Sequence, residues 1–155
     1  MAEPDERTLL AAQGYCELGM FDDALGEIET LPEEARQSAP AIETRLLILM
    51  QAKRWKPALA ASRELCALVP ERPVGFIHAS YCLHEMGRTA DARELLLSGP
   101  EALRTEPTYH YNLACYECRL GQLDLARAHL EKCFTFDKKF RDFAKLDPDL
   151  AALRD

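Results

Sequence analysis

Four alanines, Ala24, Ala58, Ala92 and Ala126, stand 34 residues apart, and this period constrains the fold more than any other feature of the chain. Self-similarity at such a spacing marks a chain built from one supersecondary unit that buries its apolar face against copies of itself. The neighbouring positions repeat too. Five residues before each alanine stand Gly19, Lys53, Gly87 and Gly121. Four residues after it stand Ile28, Ser62, Leu96 and Leu130, and seven after it Leu31, Leu65, Gly99 and Cys133. Each unit therefore predicts two helices around a tight turn. In the last unit the first helix runs from Tyr109 to Leu120 and the second from Asp124 to about Phe136. Glycine ends the first helix because it enters the left-handed conformation without a Cβ penalty. The second unit lacks that glycine, and its turn ends in Pro57, which suits the first turn of a helix. The small alanine lets the two helices approach closely, and larger apolar side chains fill the space around it. No strand pattern competes, since Val occurs at Val69 and Val74 alone. Pro32, Pro40, Pro70, Pro73, Pro100 and Pro107 fall between units or at helix starts.

The pattern resembles the tetratricopeptide repeat (TPR) family, whose units carry a small residue at the eighth position, glycine at the fifteenth and alanine at the twentieth. Units span about 5–38, 39–72, 73–106 and 107–140, and their eighth positions are Ala12, Leu46, Ser80 and Ala114. Tyr111-Asn112-Leu113-Ala114 followed by Leu120-Gly121 carries the likeness best. The resemblance implies an all-α chain, a right-handed α-solenoid of four helical hairpins in a single domain over 1–155, with a C-terminal capping helix over 141–155. Pro32 and Pro100 stand early in their units, so the second helices of units one and three are expected to end early. Asp147 followed by Pro148 predicts a capped final turn. Phe140, Phe143, Leu146, Leu150 and Leu153 are expected to cover the open end of the stack, as repeat arrays require.

Charge excludes several functions. A net charge of −7 over 155 residues leaves no general basic face for replacing the counterions of nucleic acid. No run of 18 apolar residues predicts a transmembrane segment. Met1 to Arg7 is acidic and polar, unlike a secretory leader, and the expectation is a cytoplasmic protein. The six cysteines lie inside apolar helical patterns, which fits reduced thiols acting as small apolar side chains.

In the TPR family the first helix of each unit lines an inner surface. Carried onto this chain, that surface holds Leu9 and Gln13, with Leu10 and Glu17 beside them, then Glu43, Leu47 and Met50, with Thr44 and Gln51. It continues with Ile77, His78, Tyr81 and His84, and ends with Tyr111, Asn112, Cys115 and Arg119. An apolar and aromatic lining with few polar groups suits a peptide or helix anchored by apolar side chains. The competing reading packs half of these residues inside the stack. The carboxylate clamp of TPR co-chaperones is not matched, because Leu9 and Gln13 stand where its lysine and asparagine would, and His78 replaces its later basic residue.

The resemblance implies a non-catalytic adaptor or scaffold for a protein or peptide partner, with no cofactor. In repeat number, size, acidity and capping tail the chain is similar to the bacterial kinesin light chain type of TPR protein, which implies a bacterial tubulin filament as partner. An alternative is a chaperone of secretion-system translocators. A third is a metal or redox protein using Cys115 and Cys118, a CxxC on one helix face, which Cys133 and His129 of the following helix could approach. The blander reading of both cysteines is structural, and no catalytic constellation joins His78, His84, His110 and His129. Lys138, Lys139, Arg141 and Lys145 form one basic cluster. It reads as a solvated face, or as a contact for an acidic filament or lipid head group, which leaves peripheral membrane contact open.

Overall fold

The computed structural model describes residues 2–154, and no strand occurs among them. The chain divides into two compact units, Met1–Val69 and Pro70–Asp155, each holding two helical hairpins. The first unit contains α1 (Glu3–Glu17), α2 (Phe21–Glu29), a single turn α3 (Glu33–Arg36), α4 (Ala39–Gln51) and α5 (Trp55–Leu68). The second contains α6 (Pro73–Glu85), α7 (Thr89–Leu97), a 3-10 helix (Glu101–Thr105), α8 (Pro107–Arg119), α9 (Leu123–Phe136), α10 (Phe140–Leu146) and a final 3-10 helix (Pro148–Leu153).

The same local chemistry builds all four hairpins. Every first helix opens with a proline in its first turn: Pro4, Pro40, Pro73 and Pro107. There the missing N–H would have had no helical partner, and the ring presets the helical φ. Each first helix then ends in the same left-handed cap. Gly19, Gly87 and Gly121 have φ of 75°, 80° and 82°, and Lys53 takes φ 58° in their place. The amide of the following residue reaches back five positions, as in Met20 N to Tyr15 O at 2.9 Å, Arg54 N to Leu49 O at 2.9 Å and Gln122 N to Glu117 O at 2.8 Å. This satisfies carbonyls that the helix end would otherwise orphan, and it turns the chain into the second helix. The second hairpin thus adopts the family turn without its glycine.

Ala24, Ala58, Ala92 and Ala126 are all fully buried, as are Ala12, Leu46, Ser80 and Ala114 on the first helices. In the first unit Leu9, Ala12, Cys16, Ala24, Ile28, Leu31, Ala41 and Ile48 form one core. In the second unit α8 is buried over Tyr109–Cys118 except at Asn112. Ser80 of α6 and Tyr116 of α8 share a buried hydrogen bond of 3.1 Å, so the small eighth-position residue also satisfies a buried phenol.

The second helices differ in length for the expected reason. α2 and α7 have 9 residues and stop ahead of Pro32 and Pro100, whereas α5 and α9 run for 14. Two short helical turns not foreseen from sequence, α3 and the 3-10 helix over Glu101–Thr105, follow α2 and α7. The 3-10 helix after α7 has a packing role. At the position where the other units bury Leu31, Leu65 and Cys133, the third has Gly99, and Leu103 is fully buried beside it. A Cβ at Gly99 would collide with Leu103 Cδ1 and press on Phe76 at 3.3 Å. The missing side chain is replaced by a leucine four residues on.

The C-terminal cap departs from expectation. Leu150 is buried and Phe140 is half-buried, but Phe143 is 65% exposed and Leu146 86% exposed. Seven residues of α10 give two turns, which carry Phe140 onto Tyr111 at 5.1 Å between ring centroids while Phe143 and Leu146 stay in water. Covering falls to the final 3-10 helix, whose Leu150 seals against the last hairpin. Asp147 caps that helix as expected, its side chain accepting from the Asp149 amide at 2.9 Å.

Candidate partner-binding hollow in the second unit

The inner side chains of α6 and α8 meet the C-terminal segment around a hollow of about 840 Å³. Tyr81, His84, Tyr111, Asn112 and Cys115 line it from the two helices, and Phe140, Asp147 and Asp149 from the segment. Five of the expected inner-surface residues therefore converge. Arg119 lies at the rim, with Nε 3.9 Å from Asp149 Oδ1. Ile77 and His78 are half-buried on α6 and do not line this hollow. In the first unit Leu9 is buried in the core, Gln13 and Leu47 are exposed, and Glu43 and Met50 are half-buried. Leu10 is 66% exposed, whereas Thr44 is buried and donates to Pro40 O at 2.9 Å.

Asp147 and Asp149, which the repeat pattern does not assign to the inner surface, organise the polar end of the hollow. Tyr111 donates its hydroxyl to Asp147 Oδ2 at 2.7 Å. Cys115 Sγ donates to the same oxygen at 3.8 Å. His84 Nε2 contacts Asp149 Oδ2 at 2.9 Å, and its Nδ1 lies 2.9 Å from Thr89 Oγ1 at the start of α7. An ionised carboxylate can only accept, so Nε2 carries a proton. In the neutral ring the Thr89 hydroxyl donates to Nδ1 and fixes that tautomer.

These contacts set the chemistry of the hollow. Burial, followed by the charges of Asp147 and Asp149, pushes the Cys115 thiol well above its usual range. It stays protonated at neutral pH, the reverse of an activated nucleophile. Burial and the bond to Asp147 push the Tyr111 phenol up in the same way. Burial, then the hydrogen bond to Glu85, pushes Tyr81 up to about 12. Burial lowers His78, His110 and His129.

All six cysteines are free thiols. The grouping of Cys115, Cys118, Cys133 and His129 into one metal site is not what the fold provides. Among the described residues the group of potential ligands whose donor atoms lie within 4.8 Å of one another is Cys115, Asp147 and Asp149. Cys118 shares a helix with Cys115 and is buried, but it is not one of those three residues. No helix among the described residues is long and apolar enough to cross a membrane.

No protein-family model and no curated protein matches the chain. Solved structures do. TTC0263, a thermophilic TPR protein of Thermus thermophilus, superimposes with a TM-score of 0.76 at 20% identity, over 96% of this chain and 80% of that one. The crystal structure of MamA gives a TM-score of 0.74 at 16% identity, over 90% of this chain and 83% of that one. A double mutant of MamA from RS-1 gives 0.74 at 16% identity, over 87% and 76%. At these identities the likeness establishes the fold, and with the repeated caps, the buried alanines and the four hairpins it leads to one conclusion: the chain has the tetratricopeptide-repeat fold.

Proposed function

We propose that this chain is a non-catalytic adaptor that holds a protein or peptide partner on the inner face of its first helices, centred on the hollow between α6 and α8. The observation that carries this reading is the way the chain's own Asp147 and Asp149 sit there. Their carboxylates engage Tyr111, Cys115 and His84 beside the Tyr81 and Phe140 rings. Such a site takes an extended or turning segment that brings a few hydrogen-bonding groups and apolar anchors. Exposed Gln13 and Leu47 are proposed as partner contacts on the first unit's own inner face.

Photo-crosslinking in the source cell tests the site. A photoreactive residue at Asn112 is expected to trap one discrete partner, and the same residue at exposed Leu125 of α9 is not. Equal trapping at both positions would remove the hollow from the interface. The bacterial tubulin filament belongs to this proposal as one candidate partner; failure of the purified chain to pellet with such filaments at micromolar concentration would strike it out.

A further inference from the structure

A second concavity, of about 610 Å³, opens between α9 and the C-terminal cap and shares with the first hollow no lining residue but Asp142. Its floor is apolar, with Leu130 and Phe134 from α9 and Leu150 and Leu153 from the final 3-10 helix. Its rim is cationic, formed by Lys138, Arg141, Lys145 and Arg154. The one acid in the lining, Asp142, is already taken by Lys145 at 3.5 Å. Lys138, Arg141 and Arg154 have no carboxylate partner among the described residues. Instead the Arg141 guanidinium lies 5.0 Å from the centre of the Phe134 ring, and Arg154 Nη1 donates to the Ala144 and Asp147 carbonyls at 3.0 Å each. A local excess of positive charge thus surrounds an apolar trough in a chain of net charge −7.

We infer that this trough is a docking site for an amphipathic helix of a partner protein that carries Asp or Glu beside its apolar stripe. The floor requires apolar anchors, since a free phosphate or nucleic-acid backbone would meet the cations and leave Leu130, Phe134 and Leu153 wet. The rim requires carboxylates, because Lys138 and Arg141 carry charge that no carboxylate among the described residues neutralises. The negative remainder of the chain repels an acidic helix elsewhere and steers it to this one face. The site is independent of the hollow between α6 and α8, so either can fail without the other.

A random-peptide library displayed on phage and panned on the full chain tests the inference. Recovered sequences are expected to place apolar residues three and four apart with Asp or Glu beside them. One such peptide, followed by fluorescence anisotropy, should bind Lys138→Glu/Arg141→Glu/Lys145→Glu about ten-fold or more weakly than the unchanged chain. Its affinity for the unchanged chain should also fall in high salt. Circular dichroism checks that the triple variant keeps its helices; should it not, exposed Lys138→Glu alone and the salt dependence decide. No enrichment, recovered peptides without acidic excess, or equal binding to the charge-reversed chain overturns the inference. So does co-sedimentation with phosphatidylserine vesicles through the same cations in the absence of peptide enrichment, which would assign the trough to a membrane surface.

Discussion

Tyr111 donates its phenolic proton to Asp147 across 2.7 Å, tying the inner face of the last hairpin to the chain 36 residues further on. With His84 on Asp149, this bond holds the C-terminal segment in place as one wall of the hollow. α10 leaves Phe143 and Leu146 exposed, so apolar burial at Phe140 and Leu150 and these polar contacts share the anchoring. Tyr111→Phe keeps the ring and removes the donor. Amide hydrogen exchange over 140–153 should then accelerate, while α1, α4 and α6 keep their protection. Unchanged exchange in the segment would show that it is held without this hydrogen bond.

Alkali should loosen the fold. Burial pushes the Cys66 and Cys133 thiols from 9.0 up to about 11, and Tyr81 from 10.0 up to about 12. Tyr111, Tyr116 and Cys115 are raised as well. A raised native value means that the native state keeps protons the unfolded chain gives up. The associated stability is complete below the unfolded values and is lost as pH climbs through the native ones. The melting temperature is expected to hold to about pH 8.5 and to fall steadily towards pH 11. The fall should be shallower in Tyr111→Phe, which has one fewer phenol to ionise. A flat profile across that window would contradict the buried, protonated state of these groups.

The hairpins were legible because their signals are local. The 34-residue alanine period, the turn glycines and the first-turn prolines each act within a few residues of chain. The early ends of α2 and α7 could be read from Pro32 and Pro100 for the same reason. The inner-face positions placed Tyr81, His84, Tyr111, Asn112 and Cys115 around one hollow. Asp147 and Asp149 escaped, since a helix-cap aspartate and a groove ligand look alike until tertiary contacts 36 and 65 residues apart are seen. The exposure of Phe143 and Leu146 was hidden likewise. Apolar identity makes burial favourable, but two turns of helix cannot turn every apolar side chain inward.

Lys53 is the one non-glycine residue with positive φ among the described residues, at 58°. The left-handed conformation costs an L-residue roughly 1–2 kcal/mol, part of which glycine gives back through the greater freedom of its unfolded chain. Lys53→Gly should therefore stabilise the chain by about 0.5–1 kcal/mol, while Lys53→Ala should gain nothing. Chemical denaturation at unchanged m-value measures both. Equal effects of glycine and alanine would mean that the lysine side chain, not its backbone, sets the cost.

Gly99 is held to glycine by its neighbours, since its φ is not left-handed and a Cβ would run into Leu103 Cδ1. Overpacking of this kind costs about 1–3 kcal/mol. Gly99→Ala should destabilise by that order, and Leu103→Ala by about 2–5 kcal/mol through the cavity it leaves. The double variant should lose less than the sum, because each change makes room for the other. Strict additivity would show that Leu103 does not fill the place left by the missing side chain.

Arg93 and Glu117 form a hydrogen-bonded ion pair between α7 and α8 whose two ends differ in exposure, 32% for the Arg93 side chain and 2% for Glu117. Arg93 has a second carboxylate within reach, Glu94 at 2.8 Å, while Glu117 Oε2 has no hydrogen-bond partner among the described residues. The two truncations should therefore be unequal. Arg93→Met strands a buried carboxylate and should cost about 3 kcal/mol or more. Glu117→Gln leaves an arginine that still reaches Glu94 and water, and should cost about 1–2 kcal/mol. Arg93→Met combined with Glu117→Leu replaces the pair by apolar groups of similar bulk and should recover most of the loss. Urea denaturation of the three variants gives the order. A larger cost for Glu117→Gln than for Arg93→Met would mean that the carboxylate is reached by water, and that the contact joining α7 to α8 at this point is a surface pair instead of a buried one.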